Sequence, residues 1–281
     1  MTAVDYLRHC HGYSRRMITR LKQDCGSLVV NGRQVERLTV PLSAGDRVEV
    51  RLASEEQGFL PNAALCVPVV YEDEDVIVVS KPADMPVHPS YRPREDTLAN
   101  ALAALCPSAG FHPINRLDRD TSGLCVVAKN SFAAGRLSGT VSKVYFAVVE
   151  GEVSPMEGVL SFPIARERES MIRRCVSSEG KPAVTRYRTI LRGNGHTLLE
   201  IRLETGRTHQ IRVHFAHIGH PLAGDDLYGG GRRWITRQAL HCGEIHLTQP
   251  VTGEALCLKT PIPGEMERIL RPESDEFGKS I

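Results

Sequence analysis

Short runs of apolar, β-branched residues recur along the chain and limit what it can fold into. The clearest is Val76-Ile77-Val78-Val79, which is typical of a buried strand and is ended by Lys81-Pro82. A different spacing, with apolar residues one helical turn apart, predicts a helix over 97–105. Further strands are predicted at four places, 124–128, 143–149, 184–190 and 197–203.

The first fifty-one residues have a pattern of their own. A short helix is predicted over 4–10, and a second from Arg15 to about Asp24 with Ser14 as its N-cap. Asn31-Gly32 stands between apolar stretches, which is the strongest short-range hairpin signal, and an alternating strand follows at 47–51. The second helix would turn three apolar side chains to one face, Met17, Ile18 and Leu21.

Charge is divided unevenly along the chain. Residues 1–51 hold nine basic and five acidic side chains, a net +4, whereas the remainder holds 26 and 28, a net −2. Such asymmetry favours a polyanion-binding module attached to a near-neutral body, although a solvated helix face explains the charges equally well. The basic residues opposite the apolar face of the second helix are Arg15, Arg16, Arg20 and Lys22.

The cysteines predict a reducing compartment. The chain has eight, and no two are closer than fifteen positions, so there is no metal-knuckle spacing. We expect small buried hydrophobes in a cytoplasmic protein. We expect no signal peptide or membrane segment, since no apolar run approaches the eighteen or so residues that a span needs.

The most informative stretch is the polar loop 115–123, which leads into the predicted strand 124–128. It combines two acids, two arginines and small hydroxyl residues, and functional groups often lie on such a loop beside a rigid strand. The alternative is a surface turn closed by Ser122-Gly123.

This loop carries a family resemblance. Arg116-Leu117-Asp118-x-x-Thr121-Ser122-Gly123 resembles the central motif of RluA-type pseudouridine synthases. Other motifs of that family are matched in the expected order between about residues 67 and 262. They lie at 71–82, 87–89, 143–151, 203–214, 219–229 and 238–241.

The resemblance implies an α+β pseudouridine synthase fold, with a large mixed, mainly antiparallel sheet flanked by helices and loops. The pattern in residues 1–51 is similar to the alpha-L RNA-binding motif, which is common in this family. We therefore predict an RNA-binding domain at 1–51, a linker at 52–66, a catalytic domain at 67–270 and a polar tail at 271–281.

The resemblance also implies a reaction, the isomerisation of uridine to pseudouridine within RNA, without cofactor or metal. Asp118 would be the catalytic carboxylate, and Arg212 would keep it ionised, since an opposite charge favours the charged form. Tyr145 would pack on the base and handle a proton, and Ile211 would line the uracil pocket. The expected partner is RNA, ribosomal RNA before transfer RNA, and the expected state is a monomer.

The enzyme cannot reach a base that is stacked inside an RNA helix, so the target nucleotide must flip out. Arg116, next to Asp118, is predicted to fill the vacated stack, because a guanidinium plane stacks on bases. The alternative role for Arg116 is a loop salt bridge, for instance with Asp120. Three further residues are predicted to shape the site or to touch phosphate, Lys81, Arg207 and His209.

Two positions depart from the family pattern. Asn115 stands where the family has His, and we expect an effect on loop positioning and target preference. Asp84 stands where the family has Gly, and we expect an altered turn and a charge that repels phosphate. These departures motivate an alternative in which the chain is a non-catalytic RNA-binding or RNA-folding factor on a synthase scaffold. A synthase specific for transfer RNA is a further alternative.

Two other classes of chemistry are disfavoured. Asp118-x-Asp120 resembles an aspartyl-phosphate motif of phosphatases, but here the apolar strand follows the acids instead of preceding them. A group of histidines suggests zinc, but arginines lie among them and would repel a cation. The histidines are His209, His214, His217 and His220.

Overall fold

The computed structural model describes residues 1–23, 26–51, 58–89 and 95–271. The first part of the predicted linker, 52–57, lies outside the described residues, and so does 272–281, nearly all of the predicted tail. The predicted helix end at Asp24 is outside them as well.

The N-terminal segment forms helices followed by a small antiparallel sheet, as predicted. Asn31 and Gly32 both have positive φ, 51° and 78°, which is the geometry of a tight type I′ hairpin turn. The sheet has the order β2-β1-β3. The elements are α1 (Ala3–Asp5), a π-helical turn (Tyr6–Cys10), α2 (Arg15–Gln23), β1 (Leu28–Val30), β2 (Arg33–Gln34) and β3 (Val48–Val50).

This segment has a hydrophobic core of its own, and it also contacts the rest of the chain. Ile18 and Leu21 of α2 are buried in that core. Met17, predicted on the same face, instead has its sulfur 3.9 Å from where a Cβ on Gly135 would lie, in the body of the protein. Tyr13 packs on Phe132 with ring centroids 4.9 Å apart. The separate core supports the predicted division after residue 51, which stays a prediction.

The body is built on a ten-stranded sheet whose path is β4-β5-β7-β14-β8-β13-β12-β9, with β15 beside β14 and β6 beside β7. Every pair is antiparallel except β14 with β7, so the predicted mixed, mainly antiparallel sheet is confirmed. All the strands predicted from apolar runs are present. The first strands are β4 (Val69–Glu72), β5 (Val76–Lys81), β6 (His112–Pro113), β7 (Ser122–Ala128), β8 (Ser142–Glu150) and β9 (Glu157–Ser161).

The remaining strands include a short hairpin, β10 with β11, that is separate from the main sheet. The later strands are β10 (Ile164–Arg166), β11 (Arg174–Val176), β12 (Val184–Gly193), β13 (His196–Leu203), β14 (Leu240–Thr248) and β15 (Ala255–Lys259). The helices are α3 (Leu98–Leu105), α4 (Ser131–Leu137), α5 (Gln210–His217), α6 (Gly264–Ile269) and a 3₁₀ turn (Asp226–Tyr228).

The prediction that the cysteines are buried hydrophobes is wrong for most of them. Among the described cysteines only Cys125 and Cys242 are buried, on the central strands β7 and β14. Cys257 is exposed because side chains alternate along β15, and Cys257 lies on the solvent face with Ala255 and Lys259. No described helix is long and apolar enough to cross a membrane.

Candidate active site

The polar loop that carries Asp118 runs directly into the central strand β7. Gly123 allows this approach, since its φ is 110° and a Cβ there would overlap the backbone of Cys242 in β14. Asn115 fixes the other end of the loop to the same strand. Its amide donates to the Leu124 carbonyl at 3.0 Å, and its oxygen accepts from the Val126 N–H at 2.8 Å. The family departure at Asn115 thus positions the loop.

Lys81 is buried beside this loop and hydrogen-bonds to its backbone. Its side chain is buried, with the residue 1% exposed, and its ammonium donates to three carbonyls, of Pro82 at 2.7 Å, Met85 at 2.8 Å and Arg119 at 2.9 Å. Burial lowers the pKa of Lys81 to about 8. All three protons are used inside the protein, so the predicted phosphate contact of Lys81 is not available, and the site-shaping role remains.

Asp84 does form the altered turn that its departure predicts. Its φ is 60°, in the left-handed region that favours glycine and tolerates aspartate. Its carboxylate pairs with the guanidinium of Arg119, in the loop that carries Asp118. The predicted repulsion of phosphate by Asp84 is therefore offset by the cation beside it.

Asp118 is held by a buried arginine. Arg212, on α5, approaches the Asp118 carboxylate with an N···O distance of 3.2 Å. The same guanidinium donates to both carboxylate oxygens of Asp225 at 2.7 Å, and the Asp225 side chain is 0% exposed. Burial opposes the charge on Arg212, but its bonds to Asp225 and Asp118 outweigh this and raise its pKa. Asp118 is 28% exposed, so it is the member of this trio that a substrate can reach.

His209 also lies near Asp118, and Tyr228 holds its ring from the far nitrogen. The Nε2 atom of His209 lies 3.7 Å from the Asp118 carboxylate, and its Nδ1 lies 2.8 Å from the Tyr228 hydroxyl. That hydroxyl accepts the Arg174 N–H at 2.9 Å. The hydroxyl can donate its own hydrogen bond to Nδ1, and the imidazole proton then lies on Nε2, the nitrogen that faces Asp118. Burial lowers the pKa of His209 and favours this neutral form.

Tyr145 and Ile211 lie in the core that supports the site. Both side chains are buried and belong to the same hydrophobic cluster as Leu117, the neighbour of Asp118. Burial raises the pKa of Tyr145 well above its ordinary value, and the nearby Cys242 thiol and the Asp118 charge raise it further. The phenol is therefore protonated at neutral pH.

The other predicted RNA-binding residues lie at the surface. Arg116 is exposed and makes no ion pair within the described residues; Arg119, not Arg116, lies near Asp120, at 3.7 Å. Arg207 is exposed and donates to the Pro182 carbonyl at 3.0 Å. The basic residues of α2, Arg15, Arg16, Arg20 and Lys22, are all exposed on the N-terminal segment.

A family model for RNA pseudouridylate synthase matches residues 75–217. The chain belongs to this family. It is 38% identical to the uncharacterized RNA pseudouridine synthase YjbO of Bacillus subtilis, over 98% of this chain and 100% of that one. It is 36% identical to ribosomal large subunit pseudouridine synthase D of Escherichia coli K12, over 94% of this chain and 88% of that one.

A solved structure agrees. Human RNA pseudouridylate synthase domain containing 1 superimposes with a TM-score of 0.59 at 31% identity, over 72% of this chain and 85% of that chain. The protein is therefore an RNA pseudouridine synthase, an isomerase that acts on RNA. The phosphatase alternative is wrong, and in the fold the strand β7 indeed follows the acids.

The histidines considered for zinc point to different partners in the synthase. His214 uses both ring nitrogens, one with the Thr185 hydroxyl and one with the Phe162 carbonyl, each at 2.9 Å. His220 contacts the Glu150 carbonyl at 2.8 Å. Within the described part of the chain, one group of possible metal ligands exists, on β14 and β15. The Lys259 ammonium already pairs with the Glu244 carboxylate of this group at 3.0 Å. The members of the group are Glu244, His246 and Cys257.

Three residues of the synthase site received no role from the sequence. Asp225 and Tyr228 stand in the matched motif 219–229, where an acid and an aromatic beside glycines were the available signal. Arg237 had no signal. Its guanidinium donates to the Asp120 carbonyl at 3.1 Å and to Glu265 at 2.9 Å, so it ties the Asp118 loop to α6.

Proposed function

We propose that this synthase isomerises specific uridines of large-subunit ribosomal RNA, with Asp118 as the catalytic carboxylate and without a cofactor. The observation that carries the proposal is the half-buried Asp118 carboxylate, held at 3.2 Å by an arginine whose other partner is fully buried. Such a group is oriented by its partner and is open to substrate on one side. The choice of ribosomal RNA rests on similarity to ribosomal large subunit pseudouridine synthase D.

The reaction breaks the C1′–N1 glycosidic bond, rotates the uracil and joins C5 to C1′. N1 gains a proton and C5 loses one, so atoms and charge balance without an external reagent. An ionised Asp118 serves attack on the sugar, attack on the base or assisted elimination, and these three routes stay open. Tyr145 is proposed to pack on the base. Because its phenol is protonated at neutral pH, it can donate a hydrogen bond before it accepts any proton.

The exposed arginine next to Asp118 supports a flipped-base mechanism. Arg116 makes no ion pair within the described residues, so its guanidinium is available to fill the stack that the uridine leaves. Ile211 lies on α5 next to Arg212, and we propose that it lines the uracil side of the site. Arg207 and His209 complete the polar rim. We also propose that the exposed basic face of α2 binds the RNA backbone as part of a separate RNA-binding domain.

The free cysteines indicate the cellular compartment in which the protein acts. Cys10, Cys66 and Cys257 are exposed free thiols, which fits a reducing compartment such as the cytoplasm. We propose that the protein acts there as a monomer.

The test is the substitution Asp118→Ala, with pseudouridines mapped in ribosomal and transfer RNA of cells that carry the protein, lack it or carry the variant. We expect modified uridines in large-subunit ribosomal RNA to vanish with the variant, while RNA affinity in a filter-binding assay stays within about twofold. Asp120→Asn is the matched control, because it changes a neighbouring acid of the same loop that is also solvent-exposed.

Each alternative function predicts a different distribution of pseudouridines among the RNAs. If the unmutated protein changes no uridine in any RNA, the chain is a binding or folding factor and the proposal is overturned. If the modified uridines lie only in transfer RNA, the ribosomal part of the proposal is wrong. Retention of full activity by Asp118→Ala would remove Asp118 from its catalytic role.

A further inference from the structure

The short hairpin of β10 and β11 carries two apolar side chains in solvent at its tip. Met171 is 68% exposed and Ile172 is 63% exposed. They lie side by side between the strands Ile164–Arg166 and Arg174–Val176, which do not join the main sheet. An adjacent pair of large apolar side chains this exposed is a candidate surface for contact with something outside the chain.

Arginines flank the apolar pair at the tip, together with the acidic residues Glu167 and Glu169. Arg168 has a side chain 91% exposed, and Arg173 is also at the surface. Their ion pairs, with Glu179 at 3.9 Å and Glu167 at 3.3 Å, are between solvent-exposed groups and are worth little, so phosphate can replace them.

The base of the hairpin is fixed beside the catalytic residues. Ile164 and Val176 pack with Val213 of α5 and with Tyr228. The Arg174 N–H donates to the Tyr228 hydroxyl, which contacts His209, which in turn faces Asp118. From Arg174 the chain needs only three residues to reach Met171, a span of at most about 10 Å. The tip therefore projects from the same part of the molecule as the Asp118 carboxylate.

We propose that the tip of this hairpin binds the RNA beside the target uridine, with Met171 and Ile172 pressed against or between bases and the arginines on the flanking phosphates. This inference rests on the proposed function, since it names a second binding region for the same RNA. Proteins that kink or open nucleic acid insert apolar wedges of this kind between base steps. Two side chains are far too small for a protein interface, which buries on the order of 1,000 Å² or more.

The decisive variant is the double substitution Met171→Ser with Ile172→Ser. Both side chains are solvent-exposed, so the fold and melting temperature should not change. Because the serine side chains cannot pack on bases, kcat/KM should fall by about tenfold to a hundredfold on large-subunit ribosomal RNA taken from cells that lack the protein. The matched control is Met156→Ser with Val251→Ser, which removes two side chains that are 59% and 62% exposed elsewhere.

Two further variants separate binding to bases from a merely structural effect. Met171→Trp should keep or improve RNA affinity, because an aromatic ring stacks on bases at least as well as methionine. Arg168→Ala with Arg173→Ala should make the dependence of log affinity on log salt shallower, by about one for each phosphate that the variant no longer neutralises.

The outcomes separate this inference from the proposed function. If the unmutated protein forms no pseudouridine, the proposed function fails first. If it does form pseudouridine and the Met171→Ser, Ile172→Ser variant has the same kcat/KM and affinity as the control, RNA binding by the hairpin is overturned and the proposed function stands. An unchanged salt slope in the arginine variant would also contradict RNA binding by the hairpin.

Discussion

The buried carboxylate of Asp225 offers a sharp test of how this site is held. It accepts two hydrogen bonds from Arg212, each at 2.7 Å, and it is out of reach of any substrate. The substitution Asp225→Asn keeps the shape and removes the charge. Asparagine has one carbonyl oxygen and two amide protons, so it accepts from one guanidinium nitrogen and must turn N–H toward the other.

The expected loss of stability follows from the burial of the Asp225–Arg212 ion pair. Removing one partner from a buried ion pair costs about 3–5 kcal/mol, and because one hydrogen bond survives we take about 3 kcal/mol. For a body of this size that lowers the melting temperature by about 6–12 °C. If Asp118 loses the same amount of support in the transition state, kcat falls by about a hundredfold. KM should change little, since Asp225 does not face the RNA.

The assay is the release of tritium from RNA labelled at C5 of uridine, because that hydrogen leaves in the reaction. Melting curves of the same samples give the stability. Asp226→Asn is the control, since this neighbouring acid is exposed and pairs with exposed Arg232 at 3.1 Å. A variant with lower melting temperature and unchanged kcat would show that Asp225 stabilises the fold without orienting Arg212, and the reasoning would be refuted.

Three further predictions concern other parts of the molecule. Tyr228→Phe keeps the ring but frees the Nδ1 atom of His209; we expect kcat to fall about tenfold and the acidic limb of its pH profile to move, and an unchanged profile would contradict the assigned proton on Nε2. Lys81 has its pKa lowered to about 8 in the folded state, so between about pH 8 and its ordinary value the unfolded chain binds the extra proton and the contribution of this group to stability rises with pH. In urea titrations Lys81→Met should abolish that rise and lower stability at pH 7, since three carbonyls lose their donor; a variant as stable as the parent at pH 7 would count against the clamp. Changing the basic face of α2 to alanine should weaken RNA binding at low salt and flatten its salt dependence, while an unchanged slope would separate this face from RNA; the positions are Arg15, Arg16, Arg20 and Lys22.

Much of the architecture could be predicted locally. The apolar runs at 76–79 and 124–128 became the central strands β5 and β7, because a β-branched run between turn signals has few other ways to be buried. The hairpin at Asn31-Gly32 formed for an equally local reason, the positive φ of both residues. The cysteines were the failure of this reasoning, since apolar neighbours in sequence do not say on which side of a strand a side chain meets solvent.

The site shows where local reasoning stops. Asp118 and Arg212 could be named from motifs, but they are 94 positions apart and their contact exists only in the fold. Asp225 supports that contact by holding Arg212, and Arg237, which no sequence signal marked, ties the loop to α6. Lys81 was predicted to shape the site or to touch phosphate, and only the fold shows that it is buried and donates to three carbonyls.

The sequence alone determined the strands that form from its apolar runs, the hairpin turn, the polar loop and the family, because each depends on neighbouring residues and their order. Only the tertiary structure decided which charges are buried and which are exposed to solvent. Lys81 illustrates the reason, since one of its three carbonyl partners lies 38 positions away, on Arg119. Burial and pairing depend on contacts between distant segments, and those contacts set the protonation, the orientation and the reach of each group at the site.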